Sequence, residues 1–174
     1  VHQGKNIRNN AIAVDAGRVF FPDQTATDDQ RAQALSAKVA ELEGKGMTPD
    51  QALKELANVD VRVAYALDLR TGKPVWETPV DLTGCAAHVL TGMASRGVLV
   101  FCASHSNGHY WPQFLGGEYA SRAAVALSTD DGSLLWAKPL GYRIRPLIVE
   151  DKLIAEPWAF DLHTGEQITR TNPI

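Results

Sequence analysis

Only 2 of the 174 residues are cysteine, so no dense disulfide scaffold holds this chain and at most one internal bridge can form. Charge of one sign is not in excess either. Seventeen Lys and Arg stand against 20 Asp and Glu, a formal net charge of −3. A mildly acidic chain lacks the basic footprint of a nucleic-acid binder. No apolar run approaches the roughly 20 residues that a membrane-spanning helix needs. There is no low-complexity tract, and 45% apolar with 21% charged residues excludes collagen and wholesale disorder. The first residues, Val1 to Lys5, show no basic stretch running into an apolar one, and there is no initiator Met, so a mature protein or an internal fragment is expected.

What is present is an internal repeat. Ala66-Leu67-Asp68-Leu69-Arg70-Thr71-Gly72 runs on to Trp76, Ala126-Leu127-Ser128-Thr129-Asp130-Asp131-Gly132 to Trp136, and Ala159-Phe160-Asp161-Leu162-His163-Thr164-Gly165 to Thr169. Each copy reads as a hairpin. A short strand enters, Gly72, Gly132 or Gly165 supplies a positive φ at the turn, and a second strand returns. Asp68 and Asp161 suit Asx turns, accepting bonds from turn amides. Trp76 and Trp136 give each return strand a large apolar face for docking on a neighbouring unit. Pro74 and Pro79 mark an edge strand, since proline donates no ladder hydrogen bond.

Upstream of each hairpin lies another strand pair, turning at Asp15-Ala16-Gly17, at Ser95-Arg96-Gly97 and at Glu150-Asp151. The expected fold is therefore mainly β: about three four-stranded antiparallel propeller blades, near 7–80, 85–140 and 142–170. Two insertions interrupt them. In 24–58, Thr27 to Gln30 fits a capping box before Ala32, Leu35, Val39 and Leu42 at helical spacing. Thr48-Pro49-Asp50-Gln51 opens a second short helix with Ala52, Leu53 and Leu56 as its apolar stripe. The second insertion, 104–120, is a polar, aromatic and glycine-rich loop.

The hairpins resemble the repeat of pyrroloquinoline-quinone-like, or quinoprotein-type, β-propellers. That pattern, Ala-x-Asp-x-x-Thr-Gly-x-x-x-Trp, is met in full by residues 66–76. The second copy departs from it at Ser128 and Asp131, and the third at Thr169. Propellers close with about 4–8 blades, so three imply a segment of a larger propeller, or a ring shared with another subunit. The resemblance implies a periplasmic or extracellular bacterial protein. It also implies either of two activities: a binding or scaffolding module, or part of an alcohol or sugar dehydrogenase using pyrroloquinoline quinone (PQQ) and calcium. The adjacent Cys–Cys pair of many such dehydrogenases is not here, and no residue is assigned as a catalytic base. The fold supports binding more securely than turnover.

Two places remain that are able to carry chemistry. Cys85 and Cys102 each begin a C-x-x-H sequence, with His88 and His105. Buried free thiols, a Cys85–Cys102 disulfide and a Cys2His2 zinc site that stabilises the module all fit that pattern. The loop carrying His105, Asn107, His109, Tyr110 and Trp111 gathers imidazoles, an amide and aromatics beside Gly108, the residue types that line a binding pocket. The same loop also reads as a cover over the edge of the core.

Overall fold

The computed structural model describes residues 4–85, 89–104, 122–142 and 145–170. They form a mainly β protein of three four-stranded antiparallel sheets and two helices. The first sheet holds β1 (Ala13–Asp15), β2 (Arg18–Asp23), β3 (Val61–Asp68) and β4 (Pro74–Asp81), in that spatial order. The second holds β5 (Val89–Ser95), β6 (Val98–Ser104), β7 (Ala123–Ser128) and β8 (Leu134–Pro139). The third holds β9 (Leu147–Val149), β10 (Lys152–Ala155), β11 (Trp158–Asp161) and β12 (Gln167–Arg170). Each is a simple meander, and β4 with its two prolines lies at an edge.

The first hairpin of each sheet turns where sequence chemistry allows. Ala16 and Gly17 have φ of 46° and 76°, and Arg96 and Gly97 have 51° and 80°. Two successive left-handed residues make the turn whose twist matches that of the flanking strands. The second hairpins use side chains instead. Asp68 Oδ1 accepts from the amides of Arg70 (3.2 Å) and Thr71 (2.7 Å) and from the Thr71 hydroxyl (2.7 Å). Asp161 Oδ1 accepts from the amides of His163 (3.0 Å) and Thr164 (2.8 Å). In the second copy Ser128 Oγ takes the Asp130 amide (3.2 Å), and Asp131 holds Ser133 instead. The replacement keeps an acceptor at the turn, so the hairpin survives the departure from the pattern.

Alternation along the strands gives each sheet two faces. One cluster, including Phe20, Ala66, Val80, Leu99, Phe101, Val125 and Leu127, fills the space between the first and second sheets. Another, including Val100, Ala126, Trp136, Leu153, Phe160 and Leu162, fills that between the second and third. Gly92 lets β5 run against a 3-10 turn at Asn9–Ala11, where a Cβ would stand 2.5 Å from the Ala11 carbonyl oxygen.

The helical insertion joins β2 to β3. α1 (Asp28–Gly44) and α2 (Pro49–Glu55) both start in complete capping boxes, Thr27 with Gln30 and Thr48 with Gln51. Leu35, Leu56 and Val61 make a small separate core with Val39 and Leu42 packed on it. The Arg31 guanidinium donates to the carbonyls of Leu56, Ala57 and Val59 at 2.8–2.9 Å, tying α1 to the end of α2. Two positions of the expected stripes differ. Ala32 and Leu53 are exposed. The seam is narrow: α1 meets α2 through Leu35, and the short α2 buries only Ala52 and the following Leu56.

Candidate functional site

The best-built feature is the junction between successive sheets. Trp76 on β4 points toward the second sheet and its indole N–H donates to the Thr129 carbonyl (2.9 Å). Its ring lies so close over Gly132 that a Cβ there would come within 2.6 Å. Trp136 on β8 repeats the arrangement one sheet on. It donates to the Leu162 carbonyl (2.9 Å) and lies over Gly165, where a Cβ would come within 2.7 Å. Gly132 (φ 74°) and Gly165 (φ 66°) thus serve two ends: a left-handed turn and a flat seat for an indole. Arg18 adds a polar contact at the first junction, donating to the Thr129 carbonyl and pairing with Asp130 at 3.4 Å.

A second group of side chains gathers at the end of the second sheet from which the 105–121 connection leaves. The Tyr142 hydroxyl donates to the Ala103 carbonyl (2.9 Å) and accepts from the Ala103 amide (2.8 Å). It satisfies both polar groups of a buried residue at the point where the β6–β7 pairing stops. Arg122, fully buried, donates to the Tyr142 carbonyl (3.0 Å) and has its guanidinium 5.3 Å from the tyrosine ring centre. Sequence reasoning passed over both residues because neither lies in the repeated hairpin. The signal available was an aromatic set just past a β8 edge strand.

The two cysteines belong to this end but do not join. Both are free and buried in this structure. Cys85 packs in the cluster between the first and second sheets, and its thiol lies 3.4 Å from the Ala123 carbonyl. Cys102, on β6, packs in the cluster between the second and third. A disulfide needs Cβ atoms directed at each other, and these side chains serve different cores. Burial pushes the Cys102 thiol up to about 12 and raises Cys85 well above its ordinary value. Neither is a thiolate at neutral pH, so neither is a ready nucleophile.

The histidines of the C-x-x-H pairs, His88 and His105, lie outside the described residues, as do Asn107, His109, Tyr110 and Trp111 of the expected ligand loop. Among the described residues, no three His, Cys, Asp or Glu side chains gather to hold a metal ion. Asp68, Asp161 and Asp131 are each engaged in holding a turn. No described group of three such side chains is thus present to hold the calcium of a quinone site, and no reaction step is derived through one. Among the described residues, no helix is long and apolar enough to cross a membrane.

No protein family matches the chain, and no curated protein matches it. Solved structures do. BamB from Moraxella catarrhalis is 12% identical, with 91% of this chain and 34% of that one covered and a TM-score of 0.48. A europium-containing methanol dehydrogenase is 19% identical over 62% of this chain and 21% of that one, with a TM-score of 0.37. A quinohemoprotein alcohol dehydrogenase from Pseudomonas putida is 18% identical over 61% and 17%, also at 0.37. The chain spans about a third or less of the length of these structures.

Proposed function

We propose that this chain is a binding or scaffolding module, a three-blade segment of a larger propeller in an exported bacterial protein, without catalysis of its own. One observation carries the reading: apolar side chains stand exposed on the outer faces of the first and third sheets. Ile12 and Val14 are 42% and 57% exposed on the first sheet, and Leu147 and Val149 are 56% and 51% exposed on the third. Apolar surface of this kind, at the two ends of a row of sheets, marks a contact site rather than a finished exterior. Its natural cover is another sheet, because that is what covers the equivalent faces inside the row.

The test is the native mass of the protein isolated from its source, with quinone and calcium analysis on the same sample. A mass well above the 18.9 kDa of these residues, with neither cofactor bound, is expected. A stable 18.9 kDa monomer overturns the segment reading. Bound quinone and calcium overturn the non-catalytic one and make the chain part of a dehydrogenase.

A further inference from the structure

Beyond their tryptophans, the two junctions between sheets are filled differently. Thr78 and Lys138 hold the same place, two residues past Trp76 and Trp136 and opposite Ala64 and Ala124. Lys138 reaches across the second junction, and its ammonium donates to the Gly165 carbonyl (2.7 Å). Thr78 is too short for such a reach. The strand facing it, β8, offers only small side chains there, since Ala137 and Pro139 stand opposite Val125 and Ala123.

The space left open is closed on its outer side by α1. Ala34 and Ala37 lie on one face of that helix and, with Thr78, Val80, Leu127 and Ala137, line a cavity of about 530 Å³. That volume falls within the range of about 300–1,000 Å³ typical of small-molecule sites. All of its walls lie between Ala34 and Pro139, away from both ends of the chain.

The charges at the cavity cancel. Lys38 pairs there with the Asp81 carboxylate. Burial pushes the Asp81 carboxyl up, but Lys38 and Thr83 hold it below its ordinary value, so the pair is ionised at neutral pH. The Lys138 ammonium is turned to the third sheet. An ionic ligand would be buried here without a counter-charge, which costs far more than burying an apolar one.

We infer that this cavity binds an uncharged, mainly apolar small molecule, lodged between α1 and the outer strands of the first two sheets. The Thr78 hydroxyl is placed to meet one polar group of that ligand. The helical insertion thereby gains a task that the sheets alone do not give it: its wall turns an open wedge into a site.

The experiment titrates the intact protein with phenylnaphthylamine, an uncharged probe that brightens in apolar surroundings. A second titration uses anilinonaphthalene sulfonate, the same ring system bearing a negative charge. Saturable binding of the uncharged probe is expected, with the sulfonate bound about tenfold more weakly. Ala37→Phe, at an exposed lining position, should fill the cavity and lower affinity for the uncharged probe about tenfold. Ala32→Phe, exposed on α1 outside the lining, should leave it unchanged. Ala137→Phe is the second filling variant if the first loses its far-UV spectrum. No saturable binding, equal or tighter binding of the sulfonate, or unchanged binding in a folded filling variant overturns the site. So does a partner polypeptide captured by cross-linking through Ala37→Cys, since the groove is then a protein interface.

Discussion

At the scale of single residues, the three turn glycines form a natural comparison. All have positive φ, so alanine strains the backbone at each by about 1 kcal/mol. Only at Gly132 and Gly165 does the new methyl also strike an indole. Gly72→Ala is therefore expected to lower stability by about 1 kcal/mol, and Gly165→Ala by about 2–4 kcal/mol once overpacking is added. Urea unfolding of the variants reads the difference, and equal losses would mean that the indole seat contributes nothing.

The turn aspartates add a dependence on pH. The Thr71 hydroxyl and amide hold the Asp68 carboxyl below its ordinary value, and the bonds from Thr164 and His163 do the same for Asp161. Asp81 is also lowered: burial pushes it up, but Lys38 and Thr83 outweigh that. A carboxyl with a depressed folded pKa contributes stability that is fully present above its unfolded value, near 3.9, and is lost as pH falls through the folded one. The urea midpoint should thus be flat above about pH 5 and fall below about pH 4. Asp68→Asn with Asp161→Asn should flatten that fall. These aspartates were legible from spacing alone, because an Asx turn is a local matter of side chain and backbone. The carbonyl that each indole meets was not, since it depends on which sheet lies next door.

Among the elements, the helical pair rests on one end of the first sheet, through Val61 and the Lys38–Asp81 ion pair. No residue of 24–58 belongs to either inter-sheet cluster, and Asp23 already pairs with Val63 where the insertion leaves the first sheet. Removing 24–58 is expected to keep the three sheets, judged by far-UV circular dichroism. Loss of the strand signal would make the helices part of the fold itself. Both helix starts were readable from Thr27–Gln30 and Thr48–Gln51, because capping is set within four residues. The exposure of Leu53 was not, since an apolar stripe states only which residues share a face and not how wide the opposing surface is. Tyr142 and Arg122 show the same boundary: one caps a ladder end from 39 residues away in sequence, a contact that no local pattern encodes.

For the molecule as a whole, four-stranded meanders were legible three times over because period-2 alternation and turn glycines recur together. The free state of the cysteines depended on which core each side chain enters, a property of sheet stacking rather than of composition. The tryptophan contacts have one more consequence. Both the Trp76 and the Trp136 contacts run from the outer strand of one sheet to the turn of the next, so the row has a direction. On the third sheet Thr169 stands opposite Ala159, where Trp76 and Trp136 stand opposite Ala66 and Ala126. A row built this way is polar: reversing one sheet within it would set two indole-bearing strands, or two bare turns, against each other.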